Sequence, residues 1–129
     1  RSPTEKWWSG LISDLISLGY KVGHCGFVNE PSLSHHRNYT KYIDLSFFEQ
    51  VKKSLLSKLS IGTNSGSMWV IGAYQHPSIY LTTNWLEKHN NNFTAFDPIN
   101  INSRTFFSEG SCDNISKESV IQRVIDVTK

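Results

Sequence analysis

The apolar period of this chain changes part-way along its length, and that change restricts the folds open to it. From Thr4 to Leu18, the residues Trp7, Trp8, Leu11, Leu15 and Leu18 recur at three- and four-residue spacing. That spacing lines one side of an α-helix. Ser2 or Thr4 can cap its start, and Gly19 is a natural stop because it tolerates the left-handed backbone after a helix. A second helix is predicted from about Asp44 to Leu59, with Phe47, Phe48, Val51, Leu55, Leu56 and Leu59 as its apolar face. Its lysines, Lys52, Lys53 and Lys58, lie mainly off that stripe. After the turn-rich stretch Gly62–Ser67 the pattern shortens. Met68–Tyr74 and Ser78–Thr83 are brief runs rich in β-branched and aromatic residues and are predicted as strands. Phe93–Phe96 is a third, ended by Asp97–Pro98, and Ile99–Phe107 a fourth. The helical period then returns at Lys117 to about Val127. Ser116 is its N-cap, and Ile115 with Val120 matches a hydrophobic staple.

The order is helix, helix, a strand meander, then a helix. Segregated elements of this kind predict an α+β fold in which the 44–59 helix packs on a small antiparallel sheet. Val70, Ile79, Leu81 and Phe96 are the expected core positions of the sheet, and Leu55 and Leu56 those of the helix. Tyr20–Phe27 has no decisive pattern, Asn29–Arg37 reads as a loop, and Asn84–Asn92 as a polar connection with one turn over Trp85–His89. A chain of 129 residues with 38% hydrophobic residues is enough for one core, so residues 1–129 are read as a single domain. The opening Arg1–Ser2–Pro3 suggests a domain excised from a longer protein.

Composition excludes several classes. The net charge of +2 and the scattered basic residues argue against a dedicated nucleic-acid binder. No stretch approaches the ~18 apolar residues of a membrane span. With two cysteines, Cys25 and Cys112, there is no disulfide framework and no CxxC motif, although one bridge between the two is open to the chain. No cofactor is expected, since phosphate-loop and dinucleotide fingerprints are absent. His24, His35 and His36 with Asp44 match no zinc spacing and read as loop histidines, so no metal is expected.

Three residues suit nucleophilic chemistry. His76 stands at the break between two predicted strands, in Tyr74-Gln75-His76-Pro77, on a platform suited to a base. Asp97 ends the strand Phe93–Phe96. Were 78–83 and 93–96 antiparallel neighbours, His76 and Asp97 would meet at one sheet edge. The carboxylate would then orient the imidazole and raise its pKa. Cys25, in Gly23-His24-Cys25-Gly26-Phe27, has flanking glycines that permit close backbone approach, and a nearby imidazolium would lower its thiol pKa. Cys112 reads as a bystander.

The segment from His76 to Phe107 resembles the C-terminal half of papain-like bacterial effector cysteine proteases and deamidases, the YopT-like group. The residues that carry the likeness are HPSIYLTTN, FTAFDPIN and the following FF. The resemblance implies a papain-like fold, with His76 as base and Asp97 as orienting acid; Cys25, singled out by its own glycine-flanked surroundings, is the expected nucleophile. The resemblance implies acyl transfer on a protein substrate, with proteolysis or glutamine deamidation as the outcome. A secreted toxin or effector delivered into a target cell, with a cognate immunity protein, is the context it implies. Two alternatives stand beside it. One is a non-catalytic binding domain, such as an immunity or adaptor protein. The other is a cell-wall amidase of the NlpC type, which Cys25-Gly26-Phe27-Val28 faintly resembles.

Overall fold

The computed structural model describes residues 2–26, 29–63, 65–83 and 100–129. Along the chain these form α1 (Glu5–Ser17), β1 (Val22–Gly26), β2 (Tyr39–Ile43), α2 (Phe47–Leu55), β3 (Ser60–Thr63), α3 (Gly66–Ala73), β4 (Ser78–Thr83) and β5 (Ser103–Ser108). A short 3-10 turn, Cys112–Asn114, leads into α4 (Lys117–Thr128). The fold is mixed α and β, with two small sheets.

The outer helices follow their local signals. Thr4 caps α1 by accepting the Trp7 N–H, and the chain leaves the helix through Gly19 at a φ of 97°. Ser116 caps α4 through the Ser119 N–H, and Ile115 and Val120 share the buried core as a staple requires. Trp7 is buried on α1 and donates its Nε1–H to the Ile115 carbonyl at 3.1 Å, which ties α1 to the start of α4.

The sheets differ from the sequence expectation. Among the described residues every strand pair is parallel: β1 with β2, β3 with β4, and β4 with β5. Both edges of β4 are therefore occupied by parallel partners, and the antiparallel meander is not formed. The expected strand Phe93–Phe96 and the turn Trp85–His89 lie outside the described residues, while the fourth strand is found at Ser103–Ser108.

Met68–Tyr74, predicted as a strand, lies instead in helix α3, capped by Ser65 on the Met68 N–H. The physical reason is topological. Parallel neighbours cannot be joined by a tight turn, so the segment between β3 and β4 must cross over a sheet face, and a helix does this with its backbone satisfied. That face accepts apolar residues, which is why the segment carries the composition of a strand. Tertiary placement overrides its β-propensity.

Helices cover both faces of the β3–β4–β5 sheet. Ile79 and Leu81 of β4 face a core shared with Trp7, Leu11 and Leu15 of α1 and with Val120 and Val124 of α4. Tyr80, between them, points the other way into a cluster with Val51 of α2 and Met68 and Ile71 of α3. All six residues of β4 are buried, as expected of a strand in the middle layer of a three-layer α/β/α arrangement. A papain-like layout does not describe this architecture, because the helices alternate with parallel strands.

The apolar face of α2 is also corrected. Ser46 and Glu49 form a capping box that starts the helix at Phe47. Val51 is buried and Leu55 half-buried, whereas Phe47, Phe48 and Leu56 are exposed, Leu56 by 81%. Val70, an expected core residue, is half-buried against the α2–α3 cluster, and Phe96 lies outside the described residues.

Candidate functional site

His76 sits in the turn that leads into the amino end of β4 and is buried. Its Nε2 shares a hydrogen bond with Ser57 Oγ at 3.4 Å. Its carbonyl accepts from Asn100 Nδ2 at 2.8 Å and from Ser78 Oγ at 2.9 Å. Gln75, in the left-handed region at a φ of 58°, accepts the Ile101 N–H on its side chain and Asn102 Nδ2 on its carbonyl. These contacts knot the turn before β4 to the turn before β5. Burial lowers the His76 pKa, the opposite direction to the rise a carboxylate partner would give. At neutral pH the imidazole is uncharged.

Cys25 lies in β1, paired with Tyr42 of β2, in the other sheet. Burial pushes its thiol pKa up, and Lys53 pulls it down more weakly. The Lys53 Nζ stands 4.4 Å over the Tyr42 ring. Cys25 is thus an ordinary protonated thiol near neutral pH. Cys112 is fully buried, and its pKa is also raised by burial. Both cysteines are free, so the possible bridge is not formed. Among the described residues no hydrogen bond or charge interaction joins Cys25 to His76. Asp97 lies outside the described residues. Both edges of β4, one of which the expected pairing of 78–83 with 93–96 would use, are occupied by β3 and β5.

The other histidines do not gather. His24 Nδ1 meets the Tyr39 hydroxyl at 2.8 Å, and its Nε2 lies 3.6 Å from Glu30. His36 accepts the Asn38 N–H within its own turn. Among the described residues no cluster of three or more His, Cys, Asp or Glu side chains is placed to hold a metal.

Sheet polarity directs attention to the opposite edge. In open parallel sheets ligands bind beyond the carboxyl ends of the strands, where the helices that follow them begin. Here β3 ends at Thr63 and α3 begins at Gly66, across Ser65. The Ser65 hydroxyl satisfies the Met68 N–H and lies 3.3 Å from that of Ser67, while the Trp69 N–H bonds the Ser65 carbonyl. By helix geometry the Gly66 and Ser67 amides have no intrahelical acceptor. A Cβ on Gly66 would sit 3.7 Å from Cε2 of Phe47, the first residue of α2. The amino ends of α2 and α3 therefore stand side by side, each with the positive end of its dipole at that edge. An anion is favoured there, and a half-exposed aromatic ring is beside it.

The turn-rich stretch Gly62–Ser67 of the sequence thus holds the end of β3 and the start of α3. The missed signal is Ser65 as an N-cap, which starts α3 at Gly66 soon after β3 ends at Thr63. The chain matches no family model, no curated protein and no solved structure.

Proposed function

We propose that this chain is a ligand-binding α/β domain whose ligand carries a phosphate-like anion, held at the Gly66 and Ser67 amides. The supporting observation is the convergence of two helix amino ends at the carboxyl side of a parallel sheet, with Phe47 against Gly66. Amides and dipoles of this kind bind phosphate without a basic side chain. The neighbouring Phe47 ring offers a stacking surface for a flat apolar group. A nucleotide combines both features, so nucleotides are the ligand class this geometry fits.

The test uses a substitution that leaves the helix sound. Gly66→Asp or Ser67→Glu places a carboxylate in the first turn, where it favours the helix and repels a bound anion. Gly66 has room for it, with only ordinary contact to Phe47. ADP titrated into the wild-type chain should move the backbone NMR signals of residues 65–69, and inorganic pyrophosphate should do so more weakly. Both variants should lose the response while keeping their thermal unfolding midpoint. Saturating ADP with no shift in these signals would end the proposal.

Acyl transfer through Cys25, His76 and Asp97 is the rival proposal and rests on the sequence alone. The raised thiol pKa and the uncharged imidazole give it no support. A protein substrate, secretion, delivery into a target cell and a cognate immunity protein belong to that reading and share its fate. No described helix is long and apolar enough to cross a membrane.

A further inference from the structure

Single exposed apolar side chains are ordinary on a protein surface, but several gathered on one short helix are informative. On α2 and its C-cap, Phe47, Phe48 and Leu56 are all exposed. Phe48 is 85% exposed and Leu56 81% exposed, and Lys52 lies between them on the same side of the helix. The three occupy successive turns, and Lys58 follows just beyond. Val51 and Leu55, which turn inward against α3, hold the helix in place. The exposed strip is therefore part of an anchored element.

The charges narrow what can cover it. Lys52 and Lys58 are exposed. Lys53 leans over the Tyr42 ring. The acidic group in the same helix, Glu49, is spent on the capping box, where its carboxylate accepts the Ser46 N–H at 3.0 Å. Basic charge prevails, so the covering surface is anionic. Lysine also sits between the apolar residues. Protein–protein interfaces are depleted in lysine at their cores. A bilayer surface accepts the combination, because the apolar tips enter the headgroup boundary while lysine stems extend to the phosphates.

We infer that the Phe48–Lys52–Leu56 strip of α2, with Lys58, docks this domain on an anionic lipid surface. The contact is peripheral and reversible, since one short helix face carries it. It borders the ligand site proposed at Gly66, whose Phe47 precedes Phe48 on α2, but shares no residue with it.

Cosedimentation with vesicles tests it. The wild-type chain should bind vesicles of phosphatidylcholine mixed with phosphatidylglycerol. Binding to phosphatidylcholine alone should be weaker by roughly tenfold or more, and binding should fall as salt is raised. Phe48→Ser with Leu56→Ser should abolish binding, and Lys52→Glu with Lys58→Glu should abolish the preference for the anionic vesicle. Gly66→Asp should bind vesicles like the wild type, which separates this strip from the other site. Unchanged unfolding midpoints would show that these exposed changes leave the fold intact. Lipid-induced broadening of α2 amide signals in the wild type provides a readout that needs no variant. Absence of vesicle binding, equal binding to both vesicle types, or binding insensitive to both pairs of changes would overturn the inference. So would concentration-dependent self-association lost in Phe48→Ser with Leu56→Ser without lipid binding, which would assign the strip to a second copy of the chain.

Discussion

Asp113 holds Thr4 by both of its polar groups: Oδ1 accepts the Thr4 N–H at 2.8 Å and Oδ2 accepts the Thr4 hydroxyl at 2.7 Å. The N-cap of the first helix is thereby fastened to the 3-10 turn before the last one. The hydrogen bonds from Thr4 lower the Asp113 pKa below its ordinary value near 3.8. A carboxyl depressed in the folded state stabilises above its unfolded pKa, and that stability is lost as pH falls through the folded value. The wild-type midpoint should therefore drop more steeply in acid than that of Asp113→Asn. Parallel melting curves for the two proteins between pH 5 and pH 2 would remove the clasp from the account of stability.

Gly72 lets α3 approach β4. A Cβ at this position would lie 2.6 Å from the Tyr80 hydroxyl, which donates to the Met68 carbonyl at 3.2 Å. Tyr80 is fully buried, so its ring cannot swing away. Gly72→Ala is expected to destabilise by about 1–3 kcal/mol through overpacking, despite the better helix propensity of alanine. Tyr80→Phe with Gly72→Ala should recover part of the loss, because the clashing oxygen is gone. Urea unfolding of the single and double variants measures both.

Two leucines separate core from surface. Leu81 is wholly buried between α1 and α4, and Leu81→Ala should cost about 2–5 kcal/mol. Leu56→Ala, on the exposed strip, should change stability by no more than about 0.5 kcal/mol. Similar losses at both positions would contradict the exposure of this helix face.

The thiols provide a direct check on the acyl-transfer reading. With its pKa raised by burial, Cys25 should label slowly with iodoacetamide at pH 7 and faster as pH rises past the ordinary thiol range. Cys112, fully buried, should label more slowly still until the chain unfolds. His76→Ala should leave the Cys25 rate unchanged. Fast labelling at pH 6 that His76→Ala abolishes would restore the Cys–His pair.

Much of this fold is local and was readable as such. The Thr4 and Ser116 caps, the stop at Gly19 and the staple from Ile115 to Val120 involve residues a few positions apart, so the sequence alone determines α1 and α4. The run Ser78–Thr83 is apolar and β-branched enough to be a strand in any context. What the sequence could not determine is direction. An apolar run such as Met68–Tyr74 satisfies a strand in an antiparallel meander or a helix laid across a parallel sheet, and only the partners of β4 decide between them. The same choice decides where the described candidate residues lie. Once β3 and β5 run parallel to β4, His76 falls at the amino edge in a hydrogen-bonded turn, and the Gly66 loop falls at the carboxyl edge with two helix dipoles. Burial on α2 was open for a related reason, since apolar spacing identifies a helix face without supplying the neighbour that covers it. Long-range pairing carries that information because backbone hydrogen bonds between strands are made equally well by many sequences, and the packing of side chains across layers selects among them.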